Sequence, residues 1–150
     1  MRFVEGLERL PLDEVPSVAT VGFFDGVHLG HRAVLTLTVD AARERGVRAV
    51  AITFDRHPRE VLTPGSEPRL LTTVERRASL IGAAGIDDLV VLAFTNEFSQ
   101  MPAEGFVERV LVGGVHAVHA VMGANFTFGH RAAGTVEMLI ETGPEHGFTA

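Results

Sequence analysis

Short apolar runs alternate along the chain with stretches in which apolar residues recur every three or four positions, and glycine closes most of the latter. Residues 18–22, Val-Ala-Thr-Val-Gly, read as a buried strand. Ala33, Val34, Leu37, Ala41 and Ala42 then follow at helical spacing up to Gly46, completing a first β-α unit. The β-branched run 47–54 predicts a second strand, and a proline- and glycine-bearing loop, 57–68, comes after it. Thr72 with Glu75 has the form of a capping box opening a helix through Leu80 and Ile81 that stops near Gly85. Residues 89–94 predict a third strand. Pro102 suits a first helical turn, and Phe106, Val107, Val110 and Leu111 share one face ahead of Gly113-Gly114. Residues 116–122 predict a fourth strand, and Thr135, Met138, Leu139 and Glu141 a last helix before Gly143-Pro144. Phe148-Thr149-Ala150 reads as the opening of another strand, so that the chain is expected to end inside the fold.

Strands alternating with helices across short turns predict an α/β fold, a parallel sheet with helices on both faces. Ligands in such folds collect at the carboxyl ends of the strands. Composition then narrows the chemistry. The 150 residues contain no cysteine, which removes disulfides, thiolate zinc sites and thiol nucleophiles and suits a reducing cytoplasm, the expected location. All 13 basic residues are arginine, so chemistry that needs a P-loop lysine, a Schiff-base lysine or a kinase lysine is excluded. A net charge of -6 argues against a nucleic-acid partner, and no apolar run reaches the ~20 residues of a membrane span, so no membrane partner is expected either. The 10 aromatic residues are all Phe, and any stacking surface for a planar ligand must draw on them, on His or Pro, or on an Arg plane.

The densest chemical cluster is Gly22-Phe23-Phe24-Asp25-Gly26-Val27-His28-Leu29-Gly30-His31, at the handover from the first strand to the first helix. Glycines there permit a tight turn and a close ligand approach, and a helix N-terminus offers N–H groups and a positive dipole end to phosphates. His28 and His31 are three apart, on one side of a helical turn, where imidazoles can donate to oxygens that gain charge in a transition state. Two other readings stay open. With Asp25 the pair is a partial zinc set lacking a further ligand, and either imidazole could simply cap the helix.

This cluster resembles the G-x-F-D-G-x-H-x-G-H signature of the adenylyltransferase (FAD synthetase) module of prokaryotic bifunctional riboflavin kinase/FMN adenylyltransferases, a form of the H-x-G-H motif of nucleotidyltransferases. Three further stretches are similar to that family in the same order: 53–62 (Thr-Phe-Asp-Arg-His-Pro-Arg-Glu-Val-Leu), 92–98 (Leu-Ala-Phe-Thr-Asn-Glu-Phe) and 123–134 (Gly-Ala-Asn-Phe-Thr-Phe-Gly-His-Arg-Ala-Ala-Gly). The resemblance implies a Rossmann-like nucleotidyltransferase fold that transfers AMP from ATP to FMN, giving FAD and pyrophosphate. It implies an ATP site at Gly22, Phe23, Phe24, Asp25, His28, Gly30 and His31. It implies an FMN site at Phe54, His57, Pro58, Asn125 and Phe128, with His28, His31 and Asn125 as catalytic residues. Mg²⁺ is expected to arrive on the ATP phosphates, with no metal ligand assigned to the protein.

Read without the resemblance, Phe54 reads first as a core residue at a strand end and second as a ligand platform, His57-Pro58 as a turn, and 125–134 as a surface connection. Arg131 either meets phosphate or only solvates its loop, and Arg56, Arg59, Arg76 and Arg77 read as surface charges. The family's module continues into a Ser/Thr-rich motif of the I-S-S-T-x-I-R type that grips ATP phosphates, and no stretch here matches it. Residues 1–150 are therefore expected to be an FMN adenylyltransferase domain incomplete at its C-terminal end, without the riboflavin kinase domain to which it is normally fused. Two alternatives accompany that expectation: a non-catalytic flavin or nucleotide binder, and an H-x-G-H adenylyltransferase for another phosphorylated acceptor.

Overall fold

The computed structural model describes residues 1–12, 15–25, 29–65 and 73–150. Five parallel strands form the main sheet: β1 (Arg2–Glu5), β2 (Ser17–Val21), β3 (Arg48–Phe54), β4 (Asp88–Leu92) and β5 (Ala117–Ala120), in the spatial order β1-β4-β3-β2-β5. The helices between them are α1 (Leu29–Arg45), α2 (Pro58–Leu62), α3 (Val74–Ala83), α4 (Asn96–Ser99) and α5 (Ala103–Phe106), the last running on into a π-helical stretch, Val107–Val112. After β5 come a short antiparallel ladder of β6 (Thr127–Phe128) and β7 (Gly134–Thr135), then α6 (Val136–Thr142).

Side chains alternate across a strand, and here both sides are dry. Ala19 and Val21, Val50 and Ile52, and Val90 and Leu92 face one core with Phe106, Val110, Leu111 and Leu139. Val18, Ala49 and Ala51, and Leu89 and Val91 face the other, against Leu35 and Ala42 of α1 and Ile81 of α3. Each fully buried Leu or Ile contributes on the order of 1.5–3 kcal/mol by leaving water. The split follows from the winding. Two β-α-β connections that move the same way, β2 to β3 to β4, lay α1 and α3 on one face, and the return across β2 to β5 lays α5 on the opposite face.

The fold class matches the expectation, and the details differ in several places. A fifth strand, β1, precedes those the pattern predicts; as an edge strand paired only to β4, its mostly exposed residues carry no clear two-residue period. The cap of α3 is Thr73, whose Oγ1 accepts from the N–H of Arg76 at 3.1 Å; Thr72 lies outside the described residues. The fourth predicted strand starts one residue late, because His116 has a φ of 54°, in the left-handed region. Proline also opens a short helix, α2, inside the expected loop. At the other end Thr149 makes a parallel bridge to His119, with the Ala120 N–H donating to the Thr149 carbonyl at 2.8 Å.

At the amino edge of the sheet, Asp88 is fully buried between Arg48 of β3 (Nε to Oδ2, 2.7 Å) and Arg2 of β1 (Nε to Oδ1, 3.0 Å). Burial pushes its carboxyl up, but hydrogen bonds from Arg48 and Arg2 and their charges outweigh it and hold the pKa below the ordinary carboxylate range.

Candidate active site

At the opposite edge, the segments leaving β2, β3 and β4 come together. The N–H of Gly22 still donates to Ile52 (3.0 Å), and that of Asp55 to Leu92 (3.0 Å), so the strand ladder carries into the loops and holds them side by side. Asp55 Oδ1 also accepts from the Phe94 N–H at 2.9 Å, which fixes the loop after β4 to the end of β3. Arg77 reaches this edge from α3. It is only 2% exposed, and it donates to the carbonyls of Phe23 (2.6 Å) and Phe54 (2.9 Å) and to Thr53 Oγ1 (3.0 Å). Burial lowers its pKa, against the pull of the Asp25 and Asp55 carboxylates. Its guanidinium carbon stands 4.2 Å from the centre of the Phe23 ring, and His57 meets that ring edge-on at 5.0 Å.

Beyond Phe23 lies a cavity of about 420 Å³, within the usual range of small-molecule sites, about 300–1,000 Å³. Its walls are aromatic. Phe54 packs edge-on to Phe94 (5.4 Å) and tilted against Phe98 (5.8 Å), and Phe128 leans on Phe106 (5.3 Å) and stacks with Phe126 (6.1 Å). Polar groups, among them His57 and Asn125, join the lining. The β6-β7 ladder makes one wall because glycines let it. A Cβ on Gly134 would meet the Phe128 ring at 2.5 Å, and Gly129, with a φ of +79°, lies so close to Ala103 that a Cβ would sit 2.7 Å from its Cα. The His130 N–H secures the same turn to the Met101 carbonyl at 2.8 Å. A smaller adjoining hollow of about 270 Å³ is bordered by Ser99, Gln100, His130 and Arg131, the last with a φ of 56°.

All five residues expected to meet the flavin, Phe54, His57, Pro58, Asn125 and Phe128, line the one cavity, and Phe23 joins them. The residues expected around ATP are more scattered. Phe24 is 2% exposed and belongs to the core beneath α1 and α3, its ring folded back so tightly that a Cβ on Gly22 would lie 2.9 Å from it. Asp25 is half-buried, its carboxylate acting on Arg77. Gly30 and His31 stand in the first turn of α1, with the half-buried His31 ring edge-on to Phe24 at 5.4 Å. His28 and Gly26 lie outside the described residues. Among the described residues no three or more His, Asp or Glu gather as a cation site, and no helix is long and apolar enough to cross a membrane.

Comparison with known proteins identifies the lineage. The family model described as FAD synthetase matches residues 11–150. The chain belongs to the FAD synthetase family. Relatives named bifunctional riboflavin kinase/FMN adenylyltransferase include one from Pseudomonas fluorescens, 38% identical over 99% of this chain and 48% of its own length. Another, from Listeria monocytogenes, is 35% identical over 84% of this chain and 40% of its own; the Escherichia coli K12 protein is 28% identical over 99% and 48%. The chain thus spans about half the length of the curated relatives it matches. A crystal structure described as a macrolide-efflux protein from Streptococcus pneumoniae superposes with a TM-score of 0.79 at 24% identity, covering 93% of this chain and 46% of that one. That likeness concerns the fold alone.

Within this FAD synthetase domain, sequence reasoning missed Phe94, Phe98 and Phe106 as cavity walls. Part of the signal was available: Phe94 closes the predicted strand 89–94 and Phe98 follows four residues on, in an all-Phe aromatic set, whereas Phe106 read as one of the apolar residues of a helix face. It also misread Arg77, expected at the surface and found buried. That error was avoidable too, because Arg77 occupies the position of α3 that, with Val74 and Ile81, faces the sheet.

Proposed function

We propose that the chain carries out the adenylyl transfer of FAD synthetase, moving AMP from ATP to FMN. A phosphate oxygen of FMN attacks the α-phosphorus of ATP, the bond from that phosphorus to the bridging β-phosphate oxygen breaks, and pyrophosphate leaves as FAD forms. No side chain is modified. The protein's task is alignment of two anions and dispersal of developing charge.

One observation carries this reading: the five flavin-assigned residues line a single apolar, Phe-walled cavity at the carboxyl edge of the sheet, and Phe23, from the segment that leads towards the H-x-G-H signature, joins the lining. An isoalloxazine ring would lie between the phenyl rings, and Asn125, exposed at the cavity, would orient the FMN phosphate. ATP would take the first turn of α1, with its phosphates toward Gly30, His31 and His28. Gly22, Phe23, Phe24 and Asp25 would border the adenosine, Phe24 through its backbone because its ring is committed to the core. Mg²⁺, a hard cation, would be held largely by the ATP phosphates and would supply charge neutralisation there. We further propose fusion to a riboflavin kinase domain in the complete protein, which would supply FMN, and a cytoplasmic setting.

The test is product analysis with the complete gene product, FMN and Mg-ATP. One pyrophosphate released per FAD formed, with neither riboflavin nor pantetheine phosphate replacing FMN, is the expected result. Adenylyl transfer to pantetheine phosphate and not to FMN would overturn it.

A further inference from the structure

The function just proposed requires two substrates to meet where the segments leaving β2 and β3 lie side by side, and the side chain of Arg77, from α3, grips both segments. Arg77 Nη1 donates to the carbonyl of Phe23, in the loop leaving β2, at 2.6 Å, and Nη2 to the carbonyl of Phe54, the last residue of β3, at 2.9 Å. Thr53 Oγ1 completes a triangle, accepting from Nη1 at 3.0 Å while donating to the Phe23 carbonyl at 2.8 Å. The guanidinium plane also backs the Phe23 ring, whose edge contact with His57 continues into the cavity.

Packing does not account for an arginine here. Burying a guanidinium carries a large desolvation cost, and a well-packed apolar side chain often serves stability equally well or better. Nor is the cost fully offset, since Nε is buried without a hydrogen-bond partner. What no apolar side chain can supply is a planar fork that grips two carbonyls at a set separation.

We propose that Arg77 is a positioning residue for adenylyl transfer, its fork holding the nucleotide loop at Phe23 and the flavin wall at Phe54 in register so that the two phosphates approach in line. The proposal rests on the FMN adenylyltransferase reading. Arg77 touches neither reacting atom; it acts through the two main-chain segments it joins. Small misplacements of reactants cost rate far more than they cost the binding of either reactant alone, so its loss falls on kcat.

The experiment compares Arg77→Lys, Arg77→Met and Thr53→Val with the wild type in the complete gene product, reading kcat and both KM values together with the thermal midpoint. Lysine keeps the charge but cannot span both carbonyls. Arg77→Lys is expected to lower kcat about 10- to 100-fold with KM for FMN and ATP within about threefold. Thr53→Val, close to threonine in shape and able to fold if the Arg77 variants do not, is expected to lower kcat about threefold or more in the same pattern. A lowered thermal midpoint with kcat per folded molecule unchanged in Thr53→Val and in any Arg77 variant that folds would overturn the proposal alone. A wild-type protein that forms no FAD would overturn the functional reading and this one with it.

Discussion

His31 is the described half of the histidine pair, in the first turn of α1 with its ring edge-on to Phe24. Phe24 is anchored in the core and so fixes where the imidazole can point. If the pair stabilises charge on the transferring phosphoryl group, replacing His28 and His31 together by Ala should lower kcat by about 10²–10³-fold, the scale seen when charge-stabilising donors are removed. FMN affinity, read by flavin fluorescence, should barely change. Full activity in the double variant would show that the pair only caps the helix. The convergence of residues was legible where a motif carried it, as for Phe54, Pro58 and Phe128, which meet at the cavity. The burial of Arg77 could be read from its place on the sheet-facing side of α3, but its grip could not, because two of its partners are main-chain carbonyls contributed by other elements, and no side-chain pattern announces those.

At the scale of elements, the β6-β7 ladder is held against α5 by the turn at Gly129. That residue combines a φ of +79° with contact to Ala103 too close for a Cβ. Gly129→Ala should therefore destabilise the protein by about 1–3 kcal/mol and loosen the wall that carries Phe128, raising the FMN dissociation constant; denaturant unfolding and fluorescence titration check the two effects. At the other edge of the sheet, the Arg2-Asp88-Arg48 cluster ties β1 to β4 and β3. The folded pKa of Asp88 lies below its unfolded value, so the stability it contributes is fully present above pH ~4 and is lost as pH falls through the depressed value. Asp88→Asn should cost about 1.5–3 kcal/mol at neutral pH and flatten the loss of stability below pH ~4 in thermal melts. The central strands and long helices were legible because burial on both faces leaves continuous apolar runs and a 3.6-residue period. The edge strand β1 and the two-residue strands β6 and β7 were not, since exposure or brevity erases either signal.

For the whole molecule, the winding places the site. The sheet is built outward from β2 in one direction through β3 and β4, and then the chain returns to place β5 on the other side, which opens a crevice at the carboxyl ends where the direction reverses. The signature loop leaves β2, the first cavity wall leaves β3, and the ladder with Asn125 and Phe128 follows β5, so the crevice gathers segments that are far apart in the chain. This convergence could be anticipated from the alternation of strands and helices, but the strand order could not, because the sequence states no partner for each strand. The central claim is that the Phe-walled cavity receives the flavin of FMN, and titration of FMN into the complete gene product, followed by flavin fluorescence for the wild type and Phe128→Ala, tests it most directly. Saturable quenching in the wild type, with affinity about tenfold weaker in the variant for the loss of an aromatic contact of ~1.5 kcal/mol, is the predicted result. Equal affinity in the two proteins, or no quenching in the wild type, would contradict it.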